Sequence, residues 1–226
     1  MTDPDERLRH GRELLDAGQQ EQAIEVLSPL IKADPKNANA WFTRGLAYDE
    51  LQHLELALRD YEAALKIDAT FVDAHVNRGF VLDRMGEPKA ALKDYEAAIA
   101  LAPDHALAHR NRGAAWFHLG EPERAVADHE RSLELDPTDS LTFRNLGAML
   151  VDLKRFDEAL DILNRGLAID ANDAQALNYR GRARVHARDA AGAEADFSAA
   201  VALLPEWPDT YLQRANARAQ SGDLSG

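Results

Sequence analysis

Asn77, Asn111 and Asn145 recur at intervals of thirty-four residues. A primary amide offers both N–H donors and a carbonyl acceptor, so a row of them at fixed spacing can pair with the backbone of an extended peptide. The other candidates for chemistry are weaker. His105 and His109 lie four apart, as on one helix face, but the chain has no cysteine and the two imidazoles lack a third and fourth ligand. No metal site is expected there, and His75 and His109, one interval apart, read as packing residues. The run Arg180, Arg182, Arg184, His186 and Arg188 is basic only when read along the chain, because a helix points those side chains in different directions. There is no phosphate-cradling loop, dinucleotide fingerprint, zinc-protease motif or nucleophile elbow. With 39 acidic residues, close carboxylate pairs arise by abundance alone and carry no catalytic weight. Neither enzymatic activity nor a cofactor is expected.

The interval belongs to the whole chain. Ala74-His75-Val76-Asn77-Arg78-Gly79 returns as Ala108-His109-Arg110-Asn111-Arg112-Gly113, and Gly86-Glu87-Pro88 as Gly120-Glu121-Pro122. A fixed period of this size marks an array of stacked supersecondary units. Setting the register by Pro35, Pro103, Pro137 and Pro205 gives repeats 4–37, 38–71, 72–105, 106–139, 140–173 and 174–207, with 208–226 as a half repeat, all within a single domain of 226 residues. Each repeat reads as helix, turn, helix, turn. Position eight is Gly11, Gly45, Gly79, Gly113, Gly147, Gly181 and then Ala215, and position twenty is Ala in every full repeat. Small residues there let paired helices approach closely. Position twenty-four supplies the filler: Leu27, Tyr61, Tyr95, His129, Leu163 and Phe197. Gly18, Gly86, Gly120 and Gly222 suit the ends of first helices, and Pro88 and Pro122 the first turn of second helices.

One pair of positions covaries within the chain. Position seven is Arg44, Arg78, Arg112 and Arg180 where position twenty-three is Asp60, Asp94, Asp128 and Asp196; in repeat five both change, to Leu146 and Ile162. The match predicts ion pairs linking the two helices of one repeat, with an apolar pair as the alternative a half-buried site accepts.

The formal charge of −13 argues against duplex nucleic acid or an anionic membrane as partner, since both need a broad cationic surface. The start Met1-Thr2-Asp3-Pro4-Asp5-Glu6 shows no signal peptide, and no apolar run approaches the roughly twenty residues of a membrane helix. A cytoplasmic protein is expected.

Trp41, Gly45, Tyr48, Ala57, Tyr61 and Ala64 of repeat two, with the terminal prolines Pro103 and Pro137, make the chain resemble the tetratricopeptide repeat family over essentially its whole length. Repeat one is the degenerate one, with Arg7 where an aromatic or aliphatic residue is usual. The resemblance implies an all-α fold: a right-handed superhelical solenoid of stacked antiparallel helix pairs, thirteen helices in all, closed by a solvating helix at 208–220. It also implies that positions two, five, six, nine, twelve and thirteen face inward. Asn77, Asn111 and Asn145 then line the inner wall and resemble the asparagine array of the O-GlcNAc transferases. The same row also reads as a solvated helix face. Around it the rule places Arg110, Arg144 and Asn178 at position five, Phe80 and Arg182 at nine, Asp83, Phe117 and Val151 at twelve, and Arg84, His118, Asp152 and His186 at thirteen. A carboxylate clamp of the chaperone-binding kind is incomplete: Arg110 and Asn145 fit, but Ala114, Gln175 and Tyr179 do not.

The expected function is a non-catalytic protein-interaction adaptor that binds an extended, acidic protein or peptide segment in the groove of repeats three to six. Asn77, Asn111 and Asn145 would contact the backbone; Arg110, Arg144 and Arg182 acidic groups; Phe80 and Phe117 apolar side chains. The alternatives are an assembly scaffold that forms homo-oligomers through its ends or convex face, and a regulatory piece of a longer protein, for which Ser221-Gly222-Asp223-Leu224-Ser225-Gly226 matches the turn before a missing second helix.

Overall fold

The fold is taken from a computed structural model, which describes residues 3–221. Gly222 and the turn read at 221–226 therefore lie at or beyond the end of the described residues. Among the described residues there are thirteen helices and no strand. The chain divides into two compact parts, Met1–Gly120 and Glu121–Gly226.

The N-terminal part holds α1 (Pro4–Asp16), α2 (Gln20–Ala33), α3 (Ala38–Glu50), α4 (Leu54–Ile67), α5 (Val72–Arg84), α6 (Pro88–Leu101) and α7 (Ala106–His118). The C-terminal part holds α8 (Pro122–Leu135), α9 (Ser140–Asp152), α10 (Phe156–Ile169), α11 (Ala174–His186), α12 (Ala190–Leu203) and α13 (Pro208–Ser221). The helix bounds follow the predicted register. Most first helices are capped by the residue at position thirty-four: Asp3, Asn37, His105, Asp139 and Asp173 each accept a backbone N–H of the first turn. Phe71 stands at that place before α5 and caps nothing, packing instead on Phe42 with ring centroids 4.7 Å apart. Pro88 and Pro122 open α6 and α8, where a missing N–H costs nothing.

The position-eight glycines answer to a single residue each. A Cβ built on Gly45 would lie 2.7 Å from the Tyr61 ring, on Gly79 2.7 Å from Tyr95, on Gly147 2.4 Å from Leu163 and on Gly181 2.6 Å from Phe197. Each glycine is thus the seat for the position-twenty-four side chain of its own repeat, and those fillers are fully or almost fully buried. The alanines Ala23, Ala57, Ala91, Ala125, Ala159 and Ala193 have no exposed surface.

First helices end in a left-handed residue at position fifteen, with the next N–H bonded back into the helix, as Gln19 is to the Leu14 carbonyl at 2.8 Å and Arg155 to that of Leu150 at 2.8 Å. Glycine supplies this conformation at Gly18, Gly86 and Gly120, but Gln52, Lys154 and Arg188 adopt φ near 60° without that freedom. Replacing each of these three by glycine should raise stability by about 0.5–1 kcal/mol, the left-handed cost exceeding the added entropy of the unfolded chain. Thermal denaturation of the triple variant checks this, and an unchanged or lower midpoint would refute it.

Within each part, successive first helices touch one another: α1, α3, α5 and α7 in series, and α9, α11 and α13 in series. Second helices do not approach each other to that extent among the described residues. Repeats are therefore closest together on the first-helix side, which makes that side the inner wall of each part.

Candidate functional site

Three of the predicted ion pairs are present, two in the N-terminal part and one in the C-terminal part. Arg44 Nε and Nη2 donate to the two oxygens of Asp60 at 2.7 and 2.9 Å, Arg78 to Asp94 at 2.8 and 2.6 Å, and Arg180 to Asp196 at 2.9 and 2.6 Å. Each aspartate is 3% exposed. Burial pushes the Asp60 carboxyl up and the Arg44 hydrogen bonds pull it back, while Arg44 and Arg78 are held more firmly protonated by their aspartates. Arg112 and Asp128 fall in different parts. In repeat five Leu146 is fully buried in place of an arginine and Ile162 is half-buried.

The guanidinium reaches further than the covariation showed. Arg44 Nη1 also donates to Ser28 Oγ at 3.1 Å, and Arg180 Nη1 to Asn164 Oδ1 at 2.9 Å. Both acceptors sit at position twenty-five of the preceding repeat, so one side chain ties three helices. Arg44 also lies over the Trp41 and Tyr48 rings. These arginines are interior struts rather than ligand contacts.

On the inner wall of the N-terminal part, Asn77 is half-buried and its Nδ2 donates to the Asp73 carbonyl at 2.8 Å, leaving the amide oxygen without a partner among the described residues. Asn111 is half-buried and its side chain makes no hydrogen bond among the described residues. Phe80 and Phe117 are 41% and 38% exposed, and Arg84 lies over the Phe80 ring at 5.4 Å. Arg110 is half-buried on α7. On α9 in the C-terminal part, Asn145 is half-buried and likewise without a side-chain hydrogen bond among the described residues. Arg144 donates to Asp173 at 3.2 Å, and Arg182 to Asp152 at 3.1 Å while lying over the Tyr179 ring. The two C-terminal arginines predicted to read acidic groups thus each hold a carboxylate of this chain.

Two inner-wall assignments are corrected. Asn178 is 4% exposed, with Nδ2 donating to Thr210 Oγ1 at 3.0 Å and to Gln213 Oε1 at 3.4 Å; it fastens α13 to α11. Val151 is 4% exposed and belongs to the core. Position number fixes a helix face, but the depth of that face depends on what the next helix brings against it.

The wall also carries features that the sequence reading missed. Arg84 pairs with Asp49, and His118 with Asp83 at 3.0 Å, so position thirteen reaches back to position twelve of the preceding repeat. A thirty-five-residue spacing of opposite charges was the available signal. Between α1, α3 and α5 the same inward positions of repeats one and two, joined by Asp73 of repeat three, open a cleft of about 550 Å3, mostly outside the repeats picked for binding.

The remaining candidates disperse. His105 Nδ1 accepts the Ala108 N–H at 3.2 Å as a cap, His109 Nε2 lies 3.0 Å from the Pro103 carbonyl, and His75 joins the Arg78–Asp94 pair. Among the described residues no three His, Asp or Glu side chains gather to hold a metal ion. Arg184 joins Arg180 at Asp196, and His186 stacks on Phe156 with ring centroids 4.0 Å apart. Among the described residues no helix is long and apolar enough to cross a membrane.

No curated protein matches the chain in sequence. Solved structures do match its shape. PilW, a type IV pilus biogenesis factor, is 20% identical with a TM-score of 0.84 over 94% of this chain and 98% of its own. YrrB, described as a tetratricopeptide protein with an unusual peptide-binding site, is 20% identical with a TM-score of 0.67 over 87% and 99%. One chain of the APC/C hetero-tetramer Cut9–Hcn1 gives 20% and 0.83 over 95% of this chain, which spans 43% of that longer one. At such identities the likeness is one of fold. A family model described as tetratricopeptide repeat matches residues 8–70 and 77–140, and a second with the same description matches 117–182. With those matches covering more than half the chain, and with a glycine seated under the filler of its own repeat, the chain belongs to the tetratricopeptide repeat family.

Proposed function

We propose that this chain is a non-catalytic adaptor whose first-helix wall binds an extended protein segment. The observation that carries the reading is the position-six amide row: Asn111 and Asn145 present side chains that bond to nothing among the described residues, and Asn77 retains an open acceptor. Unspent amide groups at one repeat interval suit the alternating donors and acceptors of a peptide backbone. Phe80 and Phe117, exposed on the same faces, supply apolar contact, and Arg110 lies beside Asn111. In the C-terminal part an acidic ligand group competes with Asp152 for Arg182, an exchange of like partners at an exposed site that costs little, whereas Arg144 would have to leave Asp173, whose side chain is 9% exposed. The description of YrrB as peptide-binding supports the same kind of ligand for a chain of this fold.

The test is to select extended peptides from a displayed random library and measure their affinity for the wild type and for Asn77→Ala/Asn111→Ala/Asn145→Ala. The triple variant should lose roughly tenfold or more, as several backbone hydrogen bonds of about 0.5–1.5 kcal/mol each disappear. Unchanged affinity in a variant of wild-type helicity would refute the amide row as the contact.

A further inference from the structure

The cleft between α1, α3 and α5 has an apolar floor and an acidic rim. Leu15, Phe42, Leu46 and Phe71 form the floor, all half-buried, with the Phe42 and Phe71 rings tilted at 47° to each other. Thr43, also in the lining, is buried and spends its hydroxyl on the Asn39 carbonyl at 2.7 Å. The floor therefore selects by shape and apolarity. Its volume of about 550 Å3 takes a large side chain with backbone on either side.

Three exposed carboxylates, Asp16, Glu50 and Asp73, stand at the rim against one cation, Arg12. The Arg12 guanidinium is turned onto Asn39 Oδ1 at 3.0 Å. Glu50 accepts a hydrogen bond from the neutral Gln20 at 2.7 Å, and the Asp73 side chain is 61% exposed with, among the described residues, only the His105 imidazole beside its carboxylate at 3.5 Å. This rim attracts ammonium or guanidinium groups and repels phosphodiesters.

We propose that this cleft anchors a bulky apolar side chain of an extended protein segment, with Lys or Arg on either side of the anchor. The proposal rests on the reading that the inner wall binds extended segments, and it gives repeats one to three a charge preference opposite to that of Arg144 and Arg182.

Three labelled Gly/Ser peptides test it by fluorescence anisotropy on the full chain: one with a central Lys-Phe-Lys, one with Glu-Phe-Glu and one with Lys-Ser-Lys. The first should bind roughly tenfold or more tightly than either of the others, since both charge and apolar contact are needed. Leu46→Arg should abolish that binding; arginine at position nine is native to this chain at Arg12 and Arg182, so the helix accepts it. Glu50→Lys/Asp73→Lys should turn the preference toward Glu-Phe-Glu, a gain that misfolding cannot mimic. Equal binding of the three peptides, no saturable binding of Lys-Phe-Lys, or full binding by Leu46→Arg would each overturn the proposal. If Asn77→Ala/Asn111→Ala/Asn145→Ala loses Lys-Phe-Lys while Leu46→Arg keeps it, the cleft assignment falls and the adaptor reading stands. If Leu46→Arg loses it and the asparagine variant keeps it, the amide row falls and the cleft stands.

Discussion

Gly147→Ala should destabilise the C-terminal part by about 2 kcal/mol, although alanine is ordinarily the better helix former by about 1 kcal/mol. The added Cβ would sit 2.4 Å from Leu163 Cγ and 2.5 Å from its Cδ2, and Leu163 is fully buried. Overpacking of this kind forces an off-rotamer leucine or a shift of α9 away from α10. Leu163→Ala alone should cost about 2–5 kcal/mol through lost burial and the cavity it leaves. The double variant should be far better than the sum, because the methyl gained in place of Gly147 enters the space vacated by Leu163. A double-mutant cycle by urea denaturation, with hydrogen exchange on α9 and α10 to locate the effect, measures the coupling. Additive single effects would show that position eight is small for some reason other than its filler.

The second large effect concerns the buried pair Arg44–Asp60. Asp60→Ile alone should cost about 3–5 kcal/mol, because it leaves Arg44, whose side chain is 15% exposed, without the carboxylate that neutralises it. Arg44→Leu/Asp60→Ile copies the residues that repeat five uses natively at these positions, Leu146 and Ile162, and should recover most of that loss. Recovery should fall short of the wild type by the contacts Arg44 makes with Ser28, Trp41 and Tyr48. Chemical denaturation of the two single variants and the double one decides the matter. If the double variant is no more stable than Asp60→Ile, the apolar pair of repeat five depends on its neighbours and is not a portable substitute.

Both results turn on features that were legible in the sequence because each is written several times. Repetition exposes the glycine seat and its filler, the Arg–Asp covariation and the helix bounds without any second sequence. What repetition hides is whatever breaks the period. Arg144 finds Asp173 twenty-nine residues away and Arg182 finds Asp152 thirty away, spacings that no comparison of equal positions reveals. Asn178 shares its position with Arg110 and Arg144, yet Thr210 and Gln213 of α13 draw it into the interior. The N-terminal cleft needed Phe71, a residue at a helix-capping place with an aromatic ring where most other repeats carry a polar cap. Position six is the opposite case: its asparagines were plain in the sequence, but whether their amides were already occupied depended on local backbone geometry, as Asn77 and the Asp73 carbonyl show.

The backward reach of the arginine struts gives the array a direction. Arg44 takes an acceptor from repeat one and Arg180 one from repeat five, so each strut is completed by the repeat made before it. A chain emerging from its N-terminus can therefore finish each of these polar networks as soon as the owning repeat appears, with nothing waiting on later synthesis. Asn178 is the counterexample, since its partners arrive only with α13, and until then a buried amide lacks them. The making of α13 thus satisfies that amide.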